Sequence, residues 1–224
     1  MQVLLFTKMK KTLIKEIEIT ADKVVLKGNL SIPKNAKAII LFAHGSGSSR
    51  FSPRNQYVAQ VLYKAGLATL LMDLLTKEEE LIDEQTGELR FNIEFLADRL
   101  IGATKWLKKN SEAKKLAVGY FGSSTGAGAA LIAAAKYPAD IKTIVSRGGR
   151  PDLAMPYLKK VKASVLLIVG GNDIPVIRMN KEAMKHLSIE KKLEIVPGAN
   201  HLFEEPGKLE EVAKLAAGWF TKHM

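Results

Sequence analysis

The 224-residue sequence predicts an α/β fold: an eight-stranded, mostly parallel sheet flanked by helices, in a single domain spanning residues 1–224. Three observations carry this expectation. From residue 36 onward, short apolar and β-branched runs alternate with longer helix-like segments, the pattern of βα units on a parallel sheet. Ahead of them, two stretches of period-two alternation are joined by Ala21-Asp22-Lys23, as in an antiparallel pair at a sheet edge. No linker rich in proline, glycine and serine divides the chain, and no internal repeat is visible.

The elements follow in order. The leading pair occupies residues 15–20 and 24–32, and the parallel strands are expected at 38–43, 68–72, 116–121, 143–145, 165–169 and 192–196. Between them lie helices at 55–65, 91–109, 126–136, 178–186 and 208–222, with Ser111, Gly170-Gly171 and Pro197-Gly198 marking exits. The alanine-heavy run 127–135 lets its helix lie close against the sheet. Residues 76–90, TKEEELIDEQTGELR, place six acids in a basic chain. That connection is longer than the usual two to six or so residues and reads as a solvated, charged loop.

Composition removes several function classes. A chain of this size buries roughly 70 to 75% of its unfolded-state surface, enough for one core without staples. With no cysteine, disulfide frameworks, zinc ribbons and thiol chemistry are excluded. The net charge of +11 is spread over scattered lysines whose clusters are small, such as Lys108/Lys109 and Lys159/Lys160/Lys162, so no nucleic-acid partner is expected. The longest apolar stretches, 36–43, 127–135 and 164–169, are far shorter than the roughly 18 to 20 residues that cross a bilayer, and no membrane partner is expected. Residues 3–6 are too short for a signal-peptide core, and Lys8, Lys10 and Lys11 follow them where basic residues should precede; the expected location is cytoplasmic.

The chemistry centres on Gly122-Ser123-Ser124-Thr125-Gly126, which follows a predicted strand and opens a small-residue helix. This is G-x-S-x-G with Ser124 at its middle, and the strand, sharp turn and helix give the motif its meaning. Serine needs a base and an acid that orients the base. Of four histidines, His201 stands in a loop after the last predicted strand, in Pro197-Gly198-Ala199-Asn200-His201, and is the candidate base. Asp173, after Gly170-Gly171-Asn172, is the candidate acid; Asp152, after the preceding strand, is its competitor. The order Ser124, Asp173, His201 is the nucleophile, acid, base order of α/β-hydrolases, and each member falls beyond the carboxyl end of a parallel strand.

With HGSGSS, GYFGSSTGAGAA, VSRGGRPDL, LLIVGGND and VPGANHLFEEPG, the chain resembles the dienelactone hydrolase-like family of α/β-hydrolases over nearly its whole length. The resemblance implies the α/β-hydrolase fold with no large cap domain, since only residues 146–165 separate the two late strands. Dienelactone hydrolase itself uses a cysteine nucleophile; here Ser124 holds that position, which points to a serine esterase branch.

The expected activity is therefore hydrolysis of small, short-acyl carboxylic esters through an acyl-enzyme on Ser124, by a monomer or homodimer. The oxyanion is expected to be held by the backbone N–H groups of Thr125 and Ser46, and no metal or organic cofactor is required. A thioesterase or small peptidase would use the same triad, and a non-catalytic ligand-binding protein of this fold is the alternative outside enzymes. Arg50, Arg54 and Arg147 fall in predicted rim loops. They either recognise a carboxylate or phosphate on the substrate or, the favoured reading, pair with the acids of residues 76–90.

Overall fold

A computed structural model describes residues 14–224; the reading of residues 3–11 lies outside the described residues. The chain runs β1 (Lys15–Ala21), β2 (Val24–Ser31), β3 (Ala38–Ala43), α1 (Pro53–Lys64), β4 (Ala68–Met72), α2 (Lys77–Thr86), α3 (Glu88–Phe91), α4 (Ile93–Lys109) and β5 (Ala117–Ser123). It continues through α5 (Thr125–Lys136), β6 (Ile141–Arg147), a 3₁₀ segment (Pro151–Lys160), β7 (Ser164–Gly170), α6 (Ile174–His186), β8 (Lys191–Val196) and α7 (Lys208–His223). The strands form one eight-stranded sheet in the order β1-β2-β4-β3-β5-β6-β7-β8. β2 is antiparallel to both β1 and β4, and every other pairing is parallel.

The central strands are largely apolar because both of their faces are covered. All six residues of β3 and all five of β4 are buried. On one face, α4, α5 and the 3₁₀ segment close over Leu41, Tyr120, Ile144 and Leu167. On the other, α1 and α7 cover Phe42, Phe121, Val145 and Ile168. The alanines of α5 are what allow it to wedge between sheet, α4 and the 3₁₀ segment, with eleven of its twelve residues buried. Among the described residues no helix is long and apolar enough to cross a membrane.

Residues 76–90 are not the loop expected from their charge; they fold into α2 and α3. The helix is built from its ends. Thr76 and Glu79 form a reciprocal capping box, and Gly87 closes α2 in the left-handed region at φ 66°. The buried Asp83 carboxylate then accepts the backbone N–H groups of Leu89 and Arg90 at 2.8 and 2.9 Å and pairs with the Arg90 guanidinium. Leu81 and Ile82 remain exposed, so the segment lacks the apolar stripe that marks an ordinary surface helix.

Candidate active site

Ser124 sits between the end of β5 and the start of α5 with φ 50° and ψ −121°. A serine rarely adopts a positive φ, and such strain of about 1–3 kcal/mol persists only where the surroundings impose it. Here the turn is held on both sides: Ser124 N–H donates to Arg147 O at 3.2 Å, and Ser124 O accepts from Ala127 and Arg150 N–H at 3.1 Å each. The two flanking glycines are required by space. A Cβ at position 122 would lie 2.8 Å from Ala127 N, and one at 126 would collide with the carbonyls of Ala43 and His44.

Asp173 and His201 come from the loops after β7 and β8. These loops are tied by Gly171 N–H to Val196 O at 2.8 Å and by Asn172 N–H to Ala199 O at 2.9 Å, and a Cβ at Gly170 would strike Asn200 O. The result is a contact of 2.6 Å between His201 Nδ1 and an Asp173 carboxylate oxygen. A carboxylate accepts, so Nδ1 carries the proton and Nε2 is left as the basic nitrogen. Asp173 is largely covered, with a side-chain exposure of 13%, while His201 is 39% exposed toward solvent. Ser124 and His201 both border the Arg147-Gly148 peptide. Arg147 takes the Ser124 N–H, and a Cβ on Gly148 would lie 3.4 Å from the His201 ring. No hydrogen bond joins Ser124 Oγ to His201, and such bonds are often long before substrate arrives.

The competitor Asp152 is placed elsewhere, in a bidentate pair with Arg150 at 2.9 and 2.7 Å. The expected oxyanion donors are treated unequally. Thr125 N–H stands at the N-terminus of α5, where backbone N–H groups lack helical acceptors. Ser46 N–H, in contrast, donates to Thr125 Oγ1 at 2.9 Å, so it is not an open donor. An N–H packed this close to the elbow needs a partner, and the threonine hydroxyl supplies one.

The arginines also divide. Arg50 pairs with Asp73 and Arg54 with Glu204, neither of them within residues 76–90, which corrects the favoured sequence reading for both. Among the described residues, the arginines that form ion pairs with that segment are Arg90 and Arg99, through Asp83 and Glu79. Arg147 has no carboxylate among the described residues. His44 is a clamp in the early loop: Nδ1 meets Gly45 O at 2.9 Å and Nε2 accepts Leu74 N–H at 3.1 Å. Burial holds its pKa below the ordinary histidine value, and the neutral ring is what the two bonds require.

A cavity of about 380 Å³ lies between residues 44–49 and the helices α2 to α4. It borders the elbow, because a Cβ on its lining residue Gly45 would stand 3.1 Å from Ser124 Cβ. Leu74, Leu75 and Leu96 give it an apolar wall; Glu80, Glu84 and Arg90 give it a polar one. The helical form of residues 76–90, which wall the cavity as α2 and α3, is what sequence reasoning missed, although Thr76-x-x-Glu79 and Gly87 were its signals. Among the described residues, no group of three or more histidine or acidic side chains is placed to hold a metal.

The fold is shared with known hydrolases. The chain is 58% identical to a dienelactone hydrolase of Anabaena variabilis, with a TM-score of 0.94 over 96% of this chain and 100% of that one. Two proteins from strains of Mycobacterium tuberculosis, named provisionally as phosphoribosyl transferases, are 53% identical over 93% of this chain and 46% of their own length. The chain thus spans about half the length of the curated relatives it matches. A dienelactone hydrolase-like promiscuous phosphotriesterase from metagenomic libraries shares the fold at 14% identity, with a TM-score of 0.77 over 95% of this chain and 98% of that one. With a match to the dienelactone hydrolase family over residues 26–222, the chain belongs to that family of α/β-fold hydrolases.

Proposed function

We propose that the protein is a serine hydrolase that cleaves small carboxylic esters through an acyl-enzyme on Ser124. The observation that carries this reading is the 2.6 Å pairing of His201 with Asp173 beside a serine held on a strained elbow. His201 Nε2 takes the Ser124 proton as the oxygen attacks the ester carbonyl, and returns it to the departing alcohol. Water, deprotonated by the same nitrogen, then releases the acid. Asp173 keeps the ring in the productive tautomer and balances the imidazolium charge. The developing oxyanion falls to Thr125 N–H at the positive end of α5, with Ser46 N–H joining after it leaves the Thr125 hydroxyl.

The cavity beside Gly45 is the natural acyl pocket, and its modest volume of about 380 Å³ favours short chains. The phosphoribosyl transferase name belongs to proteins about twice this length, and the shared part amounts to 93% of this chain but 46% of theirs. Hydrolysis is therefore assigned to the shared half. A panel of p-nitrophenyl esters of increasing acyl length tests the reading. Activity should be highest on short acyl groups and fall about a millionfold in Ser124→Ala, as when a triad acts as a unit. Retention of activity in that variant contradicts the proposal.

A further inference from the structure

A buried amide is costly unless its groups are paired, so where a fold keeps one is informative. Among the described residues the buried asparagines are Asn55, 2% exposed, and Asn180, 0% exposed, and both lie against the segments that form the nucleophile turn. Asn55, in α1, accepts the Ser123 hydroxyl at 3.1 Å. Asn180, in α6, donates from Nδ2 to Gly149 O at 2.9 Å and to Val176 O, one turn back in its own helix, at 2.8 Å. Both acceptors are carbonyls, which fixes the amide with its NH₂ group toward them.

Gly149 is part of the turn 147–150, which serves both the nucleophile and the base. Arg147 O accepts the Ser124 N–H, Arg150 N–H donates to Ser124 O, and a Cβ on Gly148 would lie 3.1 Å from His201 O. Two successive glycines leave such a turn little stiffness of its own, and Gly148 stands in the left-handed region at φ 51°. Its shape is therefore imposed from outside. Gly148 N–H donates to Ile168 O of β7 at 2.8 Å, a Cβ at Gly149 would strike Ser146 Oγ, and Asn180 takes the Gly149 carbonyl. The helix that supplies Asn180 begins at the candidate acid: Asp173 is the N-cap of α6, and its carbonyl accepts the Ile177 N–H at 2.9 Å. Asn180 stands about two helical turns further on. One amide thus joins the element that starts with Asp173 to the turn that holds Ser124.

We propose that Asn180 is a positioning residue that keeps Ser124 in register with the His201–Asp173 pair. The inference rests on the serine hydrolase reading given above. Without the amide, the Gly148-Gly149 turn is free to shift relative to α6, and Ser124 shifts with it. A displacement of about 1 Å in a catalytic constellation can cost about a hundredfold in rate. The cavity beside Gly45 is lined by residues 44–49 and by side chains between Leu74 and Leu96, so Asn180 does not touch the space assigned to the acyl group.

Wild type, Asn180→Leu, Asn180→Asp and Thr104→Val are compared on p-nitrophenyl acetate, with kcat/KM expressed per serine labelled by a fluorophosphonate taken to completion, below the melting transition of each protein. Thr104 is the control for a buried hydrogen bond away from the elbow: its hydroxyl bonds Leu100 O and Tyr120 OH at 2.9 and 2.6 Å. Asn180→Leu should lose roughly 10- to 100-fold in kcat/KM per labelled serine, while Thr104→Val lowers the melting temperature and leaves that value unchanged. Asn180→Asp supplies a signature that loss of packing does not. Its new buried carboxyl should titrate above the ordinary carboxylate range; protonated, it still donates to Gly149 O, and ionised, it repels both carbonyls. The ratio of kcat/KM, Asn180→Asp to wild type, should therefore fall as pH rises from about 6 to 9. If Asn180→Leu does not fold, this ratio decides alone. An Asn180→Leu value within about threefold of wild type, an equal loss in Thr104→Val, or a ratio for Asn180→Asp that does not change with pH makes Asn180 a packing residue and overturns the inference, with the hydrolase reading intact. Wild-type protein that cleaves no ester sinks that reading and the inference with it.

Discussion

Replacing Asp173 with Asn should reduce kcat by about ten-thousandfold, the effect of the same change in a chymotrypsin-type triad. The structure shows why the loss should be of that size. His201 Nδ1 touches the Asp173 oxygen at 2.6 Å, within reach of a charge-assisted bond. An amide that turns its NH₂ group to Nδ1 forces the ring proton onto Nε2, which then cannot accept from Ser124. An amide that turns its oxygen keeps the tautomer but carries no charge to balance the imidazolium. At 1.36 kcal/mol per decade, a ten-thousandfold loss is about 5 kcal/mol of transition-state stabilisation. Folding should suffer far less, because the histidine is 39% exposed and a pair this open contributes about 1 kcal/mol or less. Steady-state kcat on p-nitrophenyl acetate, read beside a thermal melt, separates the two effects. Asp152→Asn is the control, since Arg150 holds that carboxylate, and its kcat should be little changed. If Asp173→Asn kept more than a tenth of wild-type kcat, or if Asp152→Asn were the more damaging, the acid has been misassigned.

Gly126→Ala should destabilise the fold and remove activity together, because the new Cβ meets the Ala43 and His44 carbonyls, at the end of central strand β3 and in the loop that His44 clamps. Overpacking of this kind costs about 1–3 kcal/mol, a drop of some 2–4 °C in Tm for each kcal/mol in a domain of this size. A melt unchanged in this variant would mean that the elbow does not pack against β3 as described. His44 gives a pH dependence. Its folded pKa lies below the unfolded value of about 6.5, so the unfolded chain takes up the proton first. The contribution to stability is complete above about pH 6.5 and is lost as pH falls from there through the folded pKa. His44→Gln, whose amide oxygen can take the Leu74 N–H, should show a flatter decline of Tm between about pH 7 and 5 than wild type. An identical slope in the two proteins contradicts the neutral clamp.

The sheet was legible in the sequence because its strands are marked by physics that acts locally. β3 is a continuous apolar run, β4 is one but for Thr69, and β1 and β2 alternate, so period and composition located them to within a few residues. The elbow was legible for a similar reason, since two glycines around a serine after an apolar strand have few other uses. Residues 76–90 were misread because charge was weighed above end chemistry: the capping box and Gly87 make α2, while its exposed Leu81 and Ile82 break the amphipathic period. The pairing of each arginine was beyond local reading. Arg50 meets Asp73 and Arg54 meets Glu204 across long stretches of chain, and nothing near Arg147 in sequence shows that it is buried without an acceptor. The Ser46 N–H was assigned to the oxyanion from its loop alone, and only the folded chain brings Thr125 Oγ1 to it.

The role of Ser124 as nucleophile is tested most directly by covalent labelling with a fluorophosphonate followed by peptide mass spectrometry. One phosphonyl group per chain should appear, on Ser124, with labelling slowed severely in His201→Ala. An unlabelled chain, or a label on Ser123 or any other serine, would contradict it.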